Sequence, residues 1–211
     1  DYFKIEGIHN TKIGFVPTMG SLHEGHLQLI RESTKICELT VCSIFVNPTQ
    51  FNKKNDFTSY PRDIEKDIKV LRNGTKCDVL YIPETVDLYE KGEKINQYNF
   101  NGLEKLMEGI YRPNHFNGVA TVLEKFFDII RPDVAFFGQK DLQQLQIVKR
   151  LVSILDMQIK VVGVPTKRDR DGIAMSSRNS LLNNKQREEA LKLYASLQYC
   201  KLNRKDTVED L

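Results

Sequence analysis

Two histidines near the start of the sequence lie in a setting that suits phosphate chemistry. His23 and His26 are three residues apart in the string P-T-M-G-S-L-H-E-G-H, which follows a short apolar run. Residues at this spacing share one face of a helical turn, and their imidazoles can stabilise charge that develops during phosphoryl or nucleotidyl transfer. Gly20 and Gly25 let the backbone approach a ligand, and a following helix directs free N–H groups at it. We therefore predict a phosphate site here.

A metal site is the alternative interpretation of this histidine pair. The zinc-protease helix requires H-E-x-x-H, with the two histidines four residues apart. Here the string is H-E-G-H, and a glycine separates the histidines. Phosphate binding is therefore the favoured prediction.

Two further strings carry groups that suit a phosphate chain. Met175-Ser176-Ser177-Arg178 places two hydroxyls beside a guanidinium, which can bind phosphate oxygens through a bidentate fork. Gly138-Gln139-Lys140-Asp141 follows an apolar run, and its lysine can neutralise phosphate as a point charge. For Asp141, capping of the next helix and a role near hydrated Mg²⁺ both remain open.

Neutral amides follow other predicted strands and could hold a polar acid. Asn47 and Gln50 lie directly after the second apolar run, and Gln143 and Gln144 lie one turn into a predicted helix. Such amides can hydrogen-bond hydroxyls and a carboxylate, although glutamines on helices are more often solvated.

The elements that must position these residues alternate between strands and helices, which is typical of parallel βαβ units. The strands are predicted over 13–17, 41–46, 79–82, 134–137 and 159–164, and the helices over 26–38, 60–72, 119–130, 142–155 and 184–202. The charged segment 167–172 is predicted to be a linker or mobile loop. We predict an α/β fold with a Rossmann-like open parallel sheet in domain 1–166, and a smaller domain over 167–211 whose completeness is left open.

Composition argues against several classes of protein. The net charge is only +3 across 211 residues and no long basic block is present, which argues against nucleic-acid binding. We find no apolar run long enough for a membrane span and no signal-peptide pattern. The four cysteines form no C-x-x-C pair and have apolar neighbours, so buried free thiols are predicted. These features predict a soluble protein in a reducing compartment, but they do not identify the organelle.

Taken together, the strings resemble the pantoate–β-alanine ligase family. The resemblance covers most of the chain from Lys12 to about Arg187, with the motifs in the family's order. The matching strings are G-F-V-P-T-M-G-S-L-H-E-G-H, S-I-F-V-N-P-T-Q-F, Y-P-R, R-P-N-H-F-N-G-V-A-T-V, F-F-G-Q-K-D-L-Q-Q-L and V-V-G-V-P-T followed by D-G-I-A-M-S-S-R-N.

The resemblance implies an activity and an assembly. Pantoate and Mg-ATP would give pantoyl-adenylate and pyrophosphate, and β-alanine would then displace AMP to form pantothenate. The implied partners are pantoate, β-alanine and ATP, with Mg²⁺ as cofactor, in a homodimer whose small C-terminal domain closes over the first.

The resemblance also implies roles for individual residues. His26 would be a proton donor, with His23, Lys140 and Arg178 also catalytic. ATP would contact the residues Met19, Gly20, Ser21, Leu22, His23, Glu24, Gly25, His26, Gly138, Gln139, Lys140, Asp141, Lys167, Met175, Ser176, Ser177 and Arg178. Substrate would contact Gln50, Gln144, Asn47, Pro17 and Thr18, and Mg²⁺ would lie near Asp141 and Asp67.

Two rival functions remain open, and of two departures from the family's pattern only Gln139 supports one of them. Gln139 stands where the family usually has glutamate, and Ser21 replaces a common alanine. One rival is a nucleotidyltransferase that acts on a phosphorylated substrate, although the neutral Gln50 and Gln144 argue against an anionic acceptor. The other is a nucleotide-binding regulatory module that has lost catalysis.

Overall fold

The computed structural model describes residues 11–203 and shows one sheet of five parallel strands flanked by helices. The outer ends of the two predicted domains, 1–10 and 204–211, lie outside the described residues. The strands are β1 Ile13–Thr18, β2 Leu39–Ile44, β3 Val79–Tyr81, β4 Val134–Gly138 and β5 Lys160–Val164. The α/β class predicted from the alternating pattern is confirmed.

Eight α-helices connect or follow these strands within residues 11–203. They are α1 Glu24–Ile36, α2 Lys54–Ser59, α3 Ile64–Gly74, α4 Thr85–Leu88, α5 Glu108–Tyr111, α6 His115–Ile130, α7 Leu142–Ile154 and α8 Asn184–Leu202. Short 3-10 turns lie at Pro48–Gln50, Leu103–Lys105, Gln139–Asp141 and Ser177–Leu181. No helix in this described part of the chain is both long and apolar enough to cross a bilayer.

The strand order β3-β2-β1-β4-β5 places a switch point between β1 and β4. The chain first moves outward from β1 to β3, and then crosses back to β4 and moves outward in the other direction. Ligands of open parallel sheets bind beyond the carboxyl ends of the strands at such a switch point. The residues that follow β1 and β4 are therefore the candidates for a ligand site.

Apolar residues cover both faces of the sheet. On one face α6 and α7 pack over Phe15, Val41 and Ala135, and α6 is buried along nearly its whole length. On the other face α1 packs through Leu27 and Ile30 against strand residues of the second core cluster. Because both faces are covered, the strands read as nearly continuous apolar runs rather than as alternating patterns.

Several predicted boundaries differ from those observed. The helix predicted to begin at residue 60 begins at Ile64, because Pro61 precedes a cap in which the Asp63 side chain accepts from the Lys66 N–H. The helices α2, α4 and α5 were not predicted, since each spans six residues or fewer and shows no periodicity. Cys42 is buried as predicted, but Cys200 is exposed on α8, which contradicts the prediction of a buried thiol there.

Candidate active site

The loop between β1 and α1 contains the first predicted phosphate motif. Gly20 and Ser21 both have positive φ angles, +77° and +51°, so the chain reverses sharply after β1. The Thr18 hydroxyl donates to the Ser43 carbonyl at 2.7 Å and accepts from the Gly20 N–H at 3.2 Å. Thr18 was predicted to bind substrate; its buried hydroxyl shapes this loop through these two hydrogen bonds.

His23 and His26 form a reciprocal cap at the start of α1. The Gly25 N–H donates to His23 Nδ1 at 3.1 Å, and the His23 N–H donates to His26 Nδ1 at 3.3 Å. Their rings stack with centroids 4.1 Å apart. A Cβ at Gly25 would lie 2.8 Å from His23 Cε1, so glycine is required for this stacked arrangement. The spacing that suggested chemistry thus also caps the helix.

Both imidazoles are neutral donors in the ligand-free protein. Burial, with smaller effects from His23 and Lys140, lowers the pKa of His26 to about 3. Burial, followed by the charge of Lys140, also lowers the pKa of His23. Because Nδ1 of each ring accepts an N–H, the proton of each neutral ring resides on Nε2. In the free protein His26 therefore offers a neutral N–H and not a positive charge.

The turn after β4 carries the second predicted motif. Lys140 lies 3.2 Å from Asp141 through Nζ and Oδ1, and Asp141 makes no side-chain cap on α7. The helix-cap alternative for Asp141 is therefore not supported. Gln139 donates from Nε2 to the Gly163 carbonyl at 3.2 Å, near the end of β5. A glutamate could not donate this hydrogen bond, so the family departure at this position has a structural use.

The charged segment after β5, which was predicted to be a linker or mobile loop, forms a hydrogen-bonded hairpin. The Met175 N–H donates to the Lys167 carbonyl at 2.9 Å, and Arg168 pairs with Ala174 in an antiparallel bridge. Arg187 on α8 forms ion pairs with the carboxylates of the hairpin turn, Asp169 and Asp171. The charged side chains of the hairpin therefore form specific contacts within the protein instead of being solvated.

The hairpin places residues 175–178, called here the serine–arginine turn, beside residues 19–26, called here the histidine turn. Met175 Cβ lies 3.6 Å from the position that a Cβ on Gly25 would occupy. The Ser176 hydroxyl accepts from the Arg178 N–H at 3.3 Å, and the Ser177 hydroxyl lies 3.2 Å from that of Tyr60. Two motifs that are far apart in the sequence are thus adjacent in space.

Arg178 is held by partners on α2 and the segment that follows it. Its Nη2 lies 3.0 and 3.2 Å from the two carboxylate oxygens of Asp56, and its Cζ lies 5.2 Å from the centroid of the Tyr60 ring. Both members of the ion pair are more than one third exposed. An anion that enters the site can therefore compete with Asp56 for the guanidinium.

On the other side of the site, Gln50 presents its side chain to the cavity. Its Nε2 contacts Met19 Sδ at 2.9 Å, and its Oε1 accepts from Asn47 Nδ2 at 3.2 Å. Asn47 is only 1% exposed, donates also to the Gly118 carbonyl, and accepts from Tyr89 and from the backbone and hydroxyl of Thr49. Asn47 was predicted to bind substrate; it lines the cavity, and its polar atoms are paired within the protein so that it orients Gln50.

Two residues that were not predicted as site residues support Gln50: Arg112, which follows α5, and His115, which begins α6. His115 is 4% exposed and donates from Nδ1 to the Gln50 carbonyl at 2.8 Å, while Arg112 donates to the same oxygen at 3.3 Å. Burial lowers the pKa of His115, so this ring is also neutral, with its proton on Nδ1. Both residues belong to the string R-P-N-H-F-N-G, which is one of the family-like strings. The spacing within this string does not show which partner each residue binds.

A cavity of about 520 Å³ joins these pieces at the carboxyl edge of the sheet. Its volume lies within the range typical of sites for small molecules. The predicted site residues that line it are Pro17, Thr18, Met19, His23, Gly25, His26, Asn47, Gln50, Gly138, Lys140, Asp141, Gln144, Lys167, Met175, Ser176, Ser177 and Arg178. The predicted residues absent from its lining are Gly20, Ser21, Leu22, Glu24, Gln139 and Asp67.

Those absent from the lining have other roles. Leu22 is buried in the core, and Glu24 forms an ion pair with Arg31 at 2.8 Å. Asp67 was predicted to lie near Mg²⁺, but both of its oxygens accept backbone N–H groups beneath the histidine turn. Among residues 11–203, no group of three or more acidic, cysteine or histidine side chains could hold a metal ion. Of the two predicted metal-site carboxylates, only Asp141 lies on the cavity.

Known proteins resemble this chain over most of its sequence. The family model described as Pantoate-beta-alanine ligase matches residues 3–210. A pantothenate synthetase of Acinetobacter baylyi is 46% identical over 185 residues, which cover 88% of this chain and 66% of that protein. The chain thus spans about two thirds of the length of this curated relative.

Solved structures show the same fold. A pantothenate synthetase from Thermus thermophilus superposes with a TM-score of 0.84 at 44% identity, covering 89% of this chain and 67% of that one. A pantoate-beta-alanine ligase from Francisella tularensis, complexed with beta-gamma ATP and beta-alanine, superposes with a TM-score of 0.83 at 39% identity. That match covers 90% of this chain and 73% of the other.

Proposed function

Since the chain belongs to the pantoate–β-alanine ligase family, we propose that it condenses pantoate with β-alanine in an ATP-dependent reaction, through a pantoyl-adenylate. The observation that carries the proposal is the meeting of the histidine turn and the serine–arginine turn on one cavity. Two anion-binding motifs on one side, opposite neutral amides, suit a nucleotide bound beside a polar acid.

The cationic side of the cavity is assigned to ATP. Lys140, Lys167 and Arg178 line it and can neutralise the phosphate chain. His23 and His26 add neutral Nε2–H donors, whose hydrogen bonds strengthen as charge develops on the phosphate in the transition state. Mg²⁺ would neutralise further charge on ATP, with Asp141 as the predicted metal-site carboxylate that lines the cavity.

The amide side of the cavity is assigned to pantoate. Gln50 and Gln144 line it and can donate to a carboxylate and accept from hydroxyls without adding charge. The pantoate carboxylate would attack the α-phosphorus and release pyrophosphate, and the β-alanine amine would then attack the acyl carbon and release AMP. Both steps bring reactants together without a protein nucleophile, so positioning and charge neutralisation would account for most of the catalysis.

Direct product analysis tests this assignment. Incubation of the chain with ATP, pantoate and β-alanine is expected to yield pantothenate, AMP and pyrophosphate in equal amounts, identified by mass. A nucleotidyltransferase of phosphorylated acceptors would need cationic groups where Gln50 and Gln144 lie. A regulatory module without catalysis would bind ATP and release no AMP, and a nucleotidyltransferase would find no phosphorylated acceptor in this mixture, so formation of pantothenate and AMP separates the ligase from both rivals.

The remaining family expectations are also proposals. We propose that the protein is a homodimer, that it acts in the cytoplasm, and that residues from 167 onward belong to a second domain that closes over the first. The ion pairs between Arg187 and the hairpin carboxylates support movement of the hairpin and α8 as one piece. Light scattering coupled to size-exclusion chromatography would measure the oligomeric state.

Replacement of Gln144 by alanine is expected to raise the KM for pantoate by about tenfold, because a hydrogen bond to a charged carboxylate is lost. The KM for ATP should change by less than about twofold, since the phosphate motifs lie on other elements. Steady-state kinetics with each substrate varied in turn would measure both values. Gln146→Ala is a matched control, because Gln146 is exposed on the same helix and does not line the cavity. Equal effects of Gln144→Ala on both substrates would contradict the assignment.

Replacement of Asp56 by asparagine is expected to tighten ATP binding by about two- to fivefold. The exposed ion pair with Arg178 is worth at most about 1 kcal/mol after solvent screening, so its removal frees the guanidinium at small cost. Calorimetric titration of ATP would measure the change. In an Arg178→Ala background the gain should disappear, and weaker ATP binding by Asp56→Asn would instead show that Asp56 positions Arg178 productively.

A further inference from the structure

Asp67 is a buried carboxylate that lies beneath the loop connecting β1 to α1. We propose that Asp67 is a positioning residue for the nucleotide, which acts by holding the backbone of this loop and not by binding a metal ion. The proposal rests on the proposed function for the identity of the nucleotide, and it adds a residue on α3 to the ATP site.

The contacts of Asp67 are directed entirely at the loop. Its Oδ2 accepts from the Ser21 N–H at 2.8 Å, and its Oδ1 accepts from the Leu22 N–H at 2.7 Å. Asp67 is 2% exposed, and a Cβ at Gly20 would lie 2.9 Å from Oδ2. The carboxylate therefore fits closely under three consecutive loop residues that are distant from it in the sequence.

The surroundings explain how an acidic group persists at this depth. Asp67 is the fourth residue of α3, where the helix N-terminus favours negative charge. The two amide donors satisfy both oxygens, and a buried carboxylate requires such partners. Because each oxygen already accepts a short charge-assisted hydrogen bond and the residue does not line the cavity, Asp67 does not fit the role of a Mg²⁺ ligand.

The loop needs such an anchor because its conformation is unfavourable. Ser21 has a φ of +51°, in a region that L-residues other than asparagine and aspartate rarely adopt. Fixing this residue determines where the chain enters α1, and therefore where His23 and His26 present their Nε2–H groups. Loss of the anchor would let the loop relax and would scatter these donors away from the phosphates.

The pantoate side of the cavity provides an internal reference. Gln50 is held by Asn47, His115 and Arg112, and Gln144 lies on α7. The one loop residue that Gln50 contacts is Met19, which precedes the three residues that Asp67 touches. A positioning role for Asp67 thus predicts a loss that is selective for ATP. A general loss of structure would weaken the binding of both substrates.

Equilibrium titrations of Asp67→Asn test the proposal. Asparagine keeps the volume and one acceptor oxygen but turns an N–H₂ toward one of the two amides. We expect its Kd for ATP to rise at least about tenfold, by the same factor in EDTA and in excess Mg²⁺, with the Kd for pantoate within about twofold of wild type. Asp63→Asn is the matched control: it removes the same charge from the start of the same helix, where asparagine caps equally well.

Each outcome of the titrations either supports or overturns the positioning role of Asp67. A loss of ATP affinity confined to the Mg²⁺ titration would assign Asp67 to the metal and overturn the proposal, as would unchanged affinity in both. Should Asp67→Asn fail to fold, Gly20→Ala tests the contact from the loop side, since its methyl group displaces the carboxylate and leaves the charge in place. Unchanged ATP affinity in Gly20→Ala would equally overturn the proposal. ATP binding by the wild-type chain without pantothenate formation would refute the proposed function and leave the Asp67 proposal standing.

Discussion

Replacement of His26 by alanine is expected to lower pantoate-dependent exchange of pyrophosphate into ATP by about 100-fold, a loss typical for removal of one preorganised donor. The neutral ring holds its proton on Nε2 because Nδ1 accepts from the His23 N–H. It can therefore stabilise developing phosphate charge without first losing or gaining a proton. Isotope exchange measured at saturating ATP and pantoate would give the effect.

His26→Gln separates the chemical role of His26 from its role as a helix cap. Glutamine is a standard partner at this position of a capping box, so it should preserve the cap, which is worth about 1 kcal/mol. We expect His26→Gln to unfold at the wild-type temperature and yet remain at least about tenfold slower. Full activity in this variant would show that His26 matters only for the helix. Because burial lowers its pKa to about 3 in the free protein, His26 should cause no change in kcat/KM for ATP between about pH 5 and pH 8.

Replacement of Gly118 by alanine is expected to destabilise the protein by about 1–3 kcal/mol, the usual cost of overpacking. Helix propensity alone predicts the opposite sign, since alanine is favoured over glycine by about 1 kcal/mol inside a helix. A Cβ at Gly118 would lie 2.5 Å from the Thr49 carbonyl oxygen and 3.0 Å from Gln50 Cα. These are backbone atoms, so the contact cannot be relieved by rotation of a side chain.

The same substitution should reach the substrate site, because the displaced backbone carries Gln50. We expect the KM for pantoate to rise several-fold while the KM for ATP stays near wild type. Gly74→Ala is the matched control, since the nearest atoms to its Cβ are side-chain atoms, first among them the flexible end of Leu27 at 2.6 Å. Denaturant unfolding and steady-state kinetics of both variants would measure these effects. Stabilisation by Gly118→Ala would show that the two segments separate easily.

The sequence predicted the sheet well because its strands are buried on both faces and their apolar runs are unambiguous. All five strands were located to within two residues at each end, whereas the α3 start was misplaced by four. Amphipathic spacing continues through Tyr60 and Pro61, and only the cap at Asp63 marks the true start. Periodicity reports which residues face the core, but hydrogen bonds determine where an element begins.

The candidate site was predicted most completely where a motif is continuous in sequence. The histidine turn and the serine–arginine turn both reach the cavity. Residues whose partners are distant in the chain were misassigned or missed, because local spacing contains no trace of such a partner. Asp67 contacts a loop 45 residues earlier, and Asp56 pairs with Arg178 across 122 positions.

The central place of β1 has a consequence for synthesis of the chain. Both edges of β1 are paired in the folded sheet, one with β2 and the other with β4. The strand β4 comes late in the sequence: the Asp133 carboxylate that accepts from the Ile13 N–H lies 120 positions after it. A nascent chain emerging from the ribosome must therefore carry an unpaired, strongly apolar strand edge through much of translation. Exposed edges of this kind recruit other strands, so this interval is when the polypeptide is most prone to aggregate or to require a chaperone.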